Sequence, residues 1–208
     1  LFFIMEDDIV IHIGLGKTST TTLQKIIFPK FCKIINYKFV HHNIIDTNNQ
    51  DLDLTKQISE HIGRMTSMKK PKVLKIQGKV FISSENMCSW NPIFYEKFAE
   101  DNLIAFGKNT HVLITIREPI NYLNSVYNHK VLRAIPNYRK PSKYFIDSIK
   151  FSNINFCPYG EENFTLNFFS YKKLINFYRK RFNKVTVVKY ESLKNMQFLN
   201  KLFHISGP

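Results

Sequence analysis

The sequence IVIHIGLGKTSTTTLQ, from Ile9 to Gln24, decides how the rest of the chain is interpreted. It starts with a β-branched apolar run, continues with two glycines and a lysine, and ends with hydroxyl residues that open a helical pattern. This order predicts a strand over Ile9–Ile13, a tight loop and the first turn of a helix. Glycines let the backbone approach a ligand, and the amides and dipole of a helix N-terminus favour negative charge. With Lys17 beside them, these groups predict a site for phosphate or a related anion.

The spacing within the loop indicates which anion. A nucleotide-triphosphate P-loop follows G-x-x-x-x-G-K-[ST]. When Gly16, Lys17 and Thr18 are placed at the end of that motif, its first glycine falls on Ile11, inside the predicted strand. The loop is therefore too short and too apolar at its start to wrap a triphosphate in the usual way. The hydroxyl run is also longer than a magnesium-binding P-loop requires, so we expect a smaller anion.

The loop resembles the 5′-phosphosulfate loop of sulfotransferases that use 3′-phosphoadenosine 5′-phosphosulfate (PAPS). In that family a lysine, a Thr or Ser and then Gly-Thr-Thr or a variant follow the first strand, and Ser19 stands here where the family most often has glycine. The resemblance implies that Lys17 is catalytic and that the loop and first helical turn bind the 5′ end of the cofactor. The cofactor-binding residues implied in this part of the chain are Gly14, Gly16, Lys17, Thr18, Ser19, Thr20 and Thr21.

A second motif follows a predicted strand over His111–Ile116. Its matching residues are Arg117, Pro119, Ser125 and Tyr127. They resemble the 3′-phosphate motif of the same sulfotransferases, in which R-x-P is followed by a serine eight residues after the arginine and by S-x-Y. Eight helical residues span about 12 Å, so the spacing alone does not bring Arg117 and Ser125 together. The resemblance implies that both bind the 3′-phosphate, for which the planar guanidinium of arginine is suited.

The candidate catalytic base is Glu85. Lys79–Ser83 is predicted to be a buried strand that delivers Ser84 and Glu85 to its carboxyl end. In part of the sulfotransferase family a glutamate after the corresponding strand accepts the acceptor's proton, while other branches use histidine. From the residues alone, capping of the following helix or pairing with a lysine are alternatives for Glu85. His12 is expected to be a strand residue packed beside the loop.

The mechanism implied by the resemblance is in-line sulfuryl transfer. Glu85 would accept the proton of an attacking hydroxyl or amine, and Lys17 would neutralise charge on the bridging and leaving oxygens. The product of the cofactor would be 3′-phosphoadenosine 5′-phosphate. No metal is expected, because the lysine and the backbone amides take its place.

The order of elements predicts the fold class. Strands alternate with helical patterns along the chain, which favours an α/β fold with a parallel sheet and helices on both faces. Ligands bind beyond the carboxyl ends of the strands in such sheets, and the loop, Glu85 and Arg117 all fall at that edge. The resemblance implies the P-loop-NTPase-like sulfotransferase architecture. We expect one domain over residues 1–208, complete or truncated at either end.

Weaker patterns give further element predictions. Leu23, Ile26 and Ile27 are expected to share the buried face of a first helix that Pro29 stops or kinks, and Ile34–Ile35 is expected to be a short strand. Other helices are predicted over about 51–68, from Pro92, from Pro119, over about 142–149 and 166–182, and through Phe203, with a last strand over Lys184–Lys189. The buried stripe of the helix that begins at Pro119 is predicted to contain Ile120, Leu123, Tyr127, Val131 and Ala134.

Composition limits the function less than the motifs do. The formal net charge of +14 can attract anionic substrates, but the lysines are spread along the chain and a compositional bias explains them equally well. Cys32, Cys88 and Cys157 have neither zinc spacing nor the pattern of a disulfide framework. The apolar opening Leu1–Met5 is too short to span a bilayer. We therefore expect no membrane segment in this chain. The expected location is cytoplasmic, with attachment through an anchor upstream of Leu1 as the alternative.

The sequence thus predicts a PAPS-dependent sulfotransferase with a small-molecule or glycan acceptor, a carbohydrate being favoured by the basic charge and the glutamate base. Trp90 and Tyr159 are candidates for lining the acceptor pocket, with a place in the core or a lid as the alternative. One alternative function is a P-loop small-molecule kinase that uses ATP and magnesium. Another is a non-catalytic nucleic-acid-binding protein, which the spread of lysines disfavours, so no nucleic-acid partner is expected. The sequence leaves the oligomeric state open.

Overall fold

A computed structural model describes residues 8–18, 20–41, 52–133, 140–147 and 164–194. The strands in these ranges are β1 (Ile9–Gly14), β2 (Lys38–His41), β3 (Val80–Ser83), β4 (His111–Ile116), β5 (Phe145–Ile146), β6 (Phe164–Thr165) and β7 (Lys184–Lys189). The helices are α1 (Thr20–Thr22), α2 (Phe28–Ile34), α3 (Leu52–Thr66), α4 (Tyr95–Phe106), α5 (Pro119–Arg133), α6 (Pro141–Tyr144) and α7 (Tyr171–Arg179). A π-helical turn over Leu23–Ile27 joins α1 to α2, and 3-10 turns cover Glu85–Met87, Pro92–Phe94, Leu166–Phe168 and Tyr190–Lys194.

Five strands form one parallel sheet in the order β2-β3-β1-β4-β7. β1 lies at the centre, where Ile11 pairs with Ile82 of β3 on one side and with Val112 of β4 on the other. Because all five strands run in the same direction, their carboxyl ends share one edge, and there Gly14 pairs with Thr115. β5 and β6 form a separate two-stranded parallel sheet. The prediction of an α/β fold with a parallel sheet is confirmed.

Helices cover both faces of the five-stranded sheet. Alternate residues of a strand point to opposite faces, and Ile11 and Val10 accordingly belong to different core clusters. Ile11 packs with buried side chains of α3, α4, α5 and α7. Val10 packs with the helical segment of α1, the π turn and α2, through Leu23, Phe28 and others. Among the described residues, α3, α4, α5 and α7 cover one face together with Tyr144 of α6, and the helical segment of α1, the π turn and α2 covers the other.

This single segment continues past Pro29, where the sequence suggested a stop or a kink. The Phe28 amide donates to the Leu23 carbonyl, five residues earlier, in the π turn just before the proline. A proline lacks an N–H and its ring needs room in the preceding turn, which the wider π turn supplies. The same turn shifts the apolar face, so that Leu23 is buried while Ile26 is 53% exposed. The predicted grouping of Ile26 with Leu23 is wrong.

The strand predicted at Ile34–Ile35 is also wrong, because Ile34 ends α2 and the next strand is β2. Asn36 takes a left-handed conformation with φ of 57°. The Tyr37 amide then donates to the Cys32 carbonyl at 2.9 Å. This is a common way to end a helix, and it directs the chain into β2.

Two later helices differ from prediction in their details. α5 buries Tyr122 and Val126 instead of Ile120, which is 66% exposed. Leu123 and Tyr127 of the predicted stripe are half-buried. The helix predicted from about residue 166 begins at Tyr171, because the Ser170 hydroxyl accepts from an amide of the first turn and caps it.

The predicted helix over about 142–149 is described up to residue 147, where it is α6 followed by β5. Other predictions fall outside the described residues: those for Ser19, Ala134, Cys157, Tyr159 and the helical run through Phe203, together with the side chain of Val131. Across the described ranges, every helix is too short or too polar to cross a bilayer.

Candidate functional site

The loop between β1 and α1 is a closed turn. The amide and the hydroxyl of Thr18 both donate to the Leu15 carbonyl, at 3.2 and 2.6 Å. Lys17 takes a left-handed conformation with φ of 71°, which costs a residue with a side chain about 1–2 kcal/mol. Successive amides around such a residue can form a concave anion-binding surface. The turn therefore combines a strained backbone position with a lysine side chain.

Trp90 packs directly against this turn. A Cβ added to Gly16 would lie 2.1 Å from both Cζ2 and Cη2 of the indole, so only glycine fits at this position. The indole also stacks on His129 of α5, with ring centroids 5.7 Å apart and 18° between the planes. Trp90 thereby links the loop to α5, and it fixes the Gly16 side of the turn.

Beneath the loop, buried His12 ties the three central strands together. Its Nδ1 lies 2.8 Å from Oγ of Ser83 in β3, and its Nε2 lies 2.8 Å from Oγ1 of Thr115 in β4. Gln24 donates to the same Ser83 oxygen at 3.0 Å, which attaches the helix that follows the loop. Burial and, secondarily, nearby His41 lower the pKa of His12 to about 3. The neutral imidazole donates one hydrogen bond and accepts the other, and it is a strand residue beneath the loop, as expected.

Arg117 follows β4 and reaches the loop. Its Nη1 donates to the Lys17 carbonyl at 3.3 Å. Its guanidinium lies over the ring of Tyr190, 5.0 Å from the centroid. Tyr190 follows β7, and the last paired residues of the two strands, Ile116 and Lys189, place Arg117 and Tyr190 side by side. A cation–π contact holds the guanidinium against the Tyr190 ring. The pairing of β4 with β7 therefore positions Arg117.

The residues after Arg117 and Tyr190 fix the start of α5. Glu118 accepts from the Asn121 amide at 2.8 Å, as an N-cap does. Its own amide donates to a carboxylate oxygen of Glu191 at 3.2 Å. The segments that follow β4 and β7 therefore contact each other at two successive positions, Arg117 with Tyr190 and Glu118 with Glu191. These contacts set the direction of α5 relative to the loop.

Ser125 lies on α5 and is half-buried. It follows Tyr122 by three residues and precedes His129 by four, so these three share one face of the helix. Tyr122 is fully buried, and His129 stacks on Trp90. The structure thus brings Arg117 into direct contact with the loop, whereas Ser125 shares a helix face with His129, whose ring stacks on Trp90.

Glu85 begins the 3-10 turn that follows β3, at the same edge of the sheet. The Ser84 hydroxyl before it accepts from the Asn86 amide at 3.2 Å, so Ser84 rather than Glu85 caps this turn. The Ser84 amide donates to the His12 carbonyl at 3.2 Å, which holds the turn against β1. Glu85 is half-buried. It lies beside β1, which leads into the loop, and this position suits a general base at that edge.

The remaining predicted site residues lie in or next to the loop. Gly14 ends β1, and Thr20 and Thr21 form the first turn of α1, where Thr21 is exposed. The roles of Trp90 and Tyr190 as supports for the site were missed from sequence, since neither side chain is placed by spacing. In the described part of the chain, no group of three or more His, Cys, Asp or Glu side chains is arranged to hold a metal ion.

The opposite edge of the sheet contains a cavity of about 550 Å³. It is lined by residues from the amino ends of β1, β4 and β7 and from the end of α4, among them Asp8, Lys108, Asn109 and Lys184. The Asn183 amide group donates to Asn109 across it at 2.8 Å. The lining of this cavity includes no glycine packed against an aromatic ring and no arginine, whereas the carboxyl edge has Gly16 against Trp90 and Arg117 bonded to the Lys17 carbonyl.

No family model matches this sequence, and no curated protein matches it. The fold and the site define the class: an α/β protein with a five-stranded parallel sheet in its described part and a closed turn with a left-handed lysine after the central strand. The loop is contacted by Arg117, which follows the neighbouring strand, and by Trp90.

Proposed function

We propose that the protein is a PAPS-dependent sulfotransferase that transfers a sulfuryl group to a hydroxyl or amine of a small molecule or glycan. The observation that carries the proposal is the 3.3 Å contact between the Arg117 guanidinium and the Lys17 carbonyl, across 100 residues of sequence. A nucleotide phosphorylated at both 3′ and 5′ positions needs two anion sites that are separated by little more than a ribose. The motifs proposed for its two ends are in contact, which supports a single nucleotide between them.

The loop has the features needed to hold the 5′ end. Amides at the start of α1 would bind the oxygens, while the Thr18 amide closes the turn on the Leu15 carbonyl and Trp90 packs against Gly16. The Lys17 ammonium would add the charge that a metal supplies in other nucleotide sites. Arg117 would bind the 3′-phosphate with Ser125 on the adjoining helix.

Two side chains of the protein, Glu85 and Lys17, are assigned to the reaction itself. When bound, PAPS supplies an activated sulfuryl group. Glu85 would accept the proton of the acceptor as the new bond to sulfur forms and the bond between sulfur and the phosphate oxygen breaks. Lys17 would balance the negative charge that builds on this leaving oxygen. Both groups belong to the same sheet edge, after adjacent strands β3 and β1.

Nucleotide binding is the first test. We expect 3′-phosphoadenosine 5′-phosphate to raise the melting temperature without added metal, by the linkage of binding to folding, and ATP with magnesium to do so poorly. A strong magnesium-dependent ATP shift with no response to the 3′-phosphorylated nucleotide would favour the kinase. Salt-dependent binding of oligonucleotides that survives Lys17→Ala would favour the nucleic-acid-binding protein.

Turnover is the second test. With labelled PAPS and pools of acceptors, Glu85→Gln should keep the nucleotide-induced shift and lose about a hundredfold or more in turnover. Glu96→Gln on α4 is the matched control, since Glu96 pairs with Arg181 on the protein surface. Equal turnover in Glu85→Gln and Glu96→Gln would remove Glu85 from the catalytic role.

A further inference from the structure

The charges on the two faces of the sheet are distributed differently. From Ile9 to Ile45 the sequence contains five lysines and no acidic residue. This stretch includes the helical segment of α1, the π turn and α2, which, in the part of the chain that the structure describes, covers one face of the sheet. Helices on the other face carry acidic residues that pair with bases, such as Glu60 with Lys72 and Glu96 with Arg181.

The outer surface of the α1–α2 segment combines lysines with isoleucines. Its exposed side chains include Lys25, Ile26, Lys30, Lys33 and Ile34, which we call the lysine–isoleucine face. Ile26 is 53% exposed and Ile34 is 68% exposed. Residue 30 follows residue 26 by four positions, and residues 33 and 34 follow residue 30 by three and four, so the set forms a stripe along the helix. The stripe is about 12 Å long at 1.5 Å per residue.

We propose that the lysine–isoleucine face docks on an anionic lipid membrane surface. Lysines near such a surface are attracted by the negative headgroups, and their long stems let the ammonium reach them while neighbouring apolar side chains enter the interface. The two isoleucines gain from that entry, because it removes exposed apolar surface from water. The inference does not depend on the proposed function.

Other partners fit this face less well. The centre of a protein–protein interface is depleted in lysine, yet here Lys30 and Lys33 lie between the two isoleucines. Recognition of nucleic acids commonly uses arginine and stacking aromatic rings, and the exposed side chains of this face include neither. A soluble acidic polysaccharide would attract the lysines but would give the isoleucines nothing to enter.

The test uses the full chain and vesicles of two compositions. We expect the protein to sediment with vesicles of phosphatidylcholine that contain about one-third phosphatidylserine, and not with pure phosphatidylcholine, with binding that weakens as salt rises. The double variant K30E/K33E should bind at least about tenfold more weakly, since each lysine near the surface contributes to the attraction. I26S/I34S should also bind more weakly while keeping the salt dependence.

Matched controls come from the other face. K172E/K173E changes two exposed lysines of α7, and I104S changes an exposed isoleucine of α4. Both should bind vesicles as the unaltered protein does, and circular dichroism should show every variant folded. Absence of vesicle binding, or equal loss in K172E/K173E, would overturn the proposal. Binding to heparin but not to vesicles, lost in K30E/K33E, would replace the membrane with a soluble polyanion.

Discussion

At the carboxyl edge of the sheet, a guanidinium, an indole and a buried histidine hold one short turn, whereas the amino edge surrounds a cavity of about 550 Å³. Both edges have lysines, and each has a glycine that a larger residue could not replace without strain. Gly16 at the carboxyl edge is needed because Trp90 lies where a side chain would be, while Gly107 at the amino edge is needed for its φ of +81°. The cavity at the amino edge is therefore not the better candidate site. What distinguishes the carboxyl edge is backbone strain held by contacts from several strands.

The largest effect is expected from Gly16→Ala. Its Cβ would require the indole or the turn to move, which costs about 1–3 kcal/mol of stability for overpacking. A displacement of about 1 Å in the loop could lower turnover about a hundredfold. Gly107→Ala, measured in the same chemical-denaturation and turnover assays, should lose about 1–3 kcal/mol of stability through its backbone conformation but keep turnover.

The double variant Gly16→Ala/Trp90→Ala sharpens this comparison. Removal of the indole gives the new Cβ room, so the double variant should recover part of the nucleotide-induced melting shift that Gly16→Ala loses. If Gly16→Ala behaves like Gly107→Ala in turnover, the contact with Trp90 does not position the loop.

Lys17→Met is expected to have the next effect. Methionine keeps the apolar stem and a similar backbone preference but removes the charge, so turnover should fall about a hundredfold while the fold is retained. Lys108→Met at the amino edge is the control, because Lys108 lines the cavity there. Steady-state kinetics on both variants would contradict the site assignment if Lys108→Met were the slower enzyme.

Arg117→Ala should weaken binding of 3′-phosphoadenosine 5′-phosphate about twentyfold, because a hydrogen bond to a charged group contributes about 1.5–2 kcal/mol. Isothermal titration calorimetry would measure it. Arg181→Ala is the control, since Arg181 joins Glu96 and Glu100 of α4 away from this edge. If Arg117→Ala binds the nucleotide with unchanged affinity, the two motifs do not bind the two ends of one nucleotide.

The last effect is expected in the pH dependence of stability, outside nucleotide binding and turnover. His12 has a pKa of about 3 when folded and about 6.5 when unfolded. The unfolded chain therefore takes up a proton that buried His12 does not, so this contribution to stability is complete above about pH 6.5 and is lost as the pH falls towards 3. His12→Gln should reduce the slope by up to about 1.4 kcal/mol per pH unit in that window.

Urea denaturation at several pH values between 4 and 7 would measure that slope, at roughly constant ionic strength. His111→Gln at the amino end of β4 removes a similar hydrogen bond, to Thr186. It therefore controls for the stability lost at pH 7 when a buried histidine loses its hydrogen-bond partner. An identical slope in His12→Gln and the unaltered protein would mean that another group accounts for the pH dependence.

Predictions from sequence succeeded where local pattern and chain direction were enough. The apolar runs at Ile9–Ile13 and His111–Ile116 gave β1 and β4, and the alternation of strands and helices gave a parallel sheet. Predictions failed where a single residue changed the local geometry: the π turn before Pro29 exposed Ile26, and the Ser170 cap delayed the start of α7. Periodicity assumes a regular helix, so it misses such changes.

For the candidate site, the sequence determined which groups stand at the ends of β1, β3 and β4: the glycine turn with Lys17, Glu85 and Arg117. Chemistry and order along the chain are sufficient for that, because parallel strands bring their carboxyl ends to one edge. Only the tertiary structure decided that Arg117 turns towards the loop, that Trp90 occupies the space beside Gly16, and that Tyr190 supports the guanidinium. Those contacts depend on strand register and side-chain packing between segments far apart in sequence, and no local pattern encodes them.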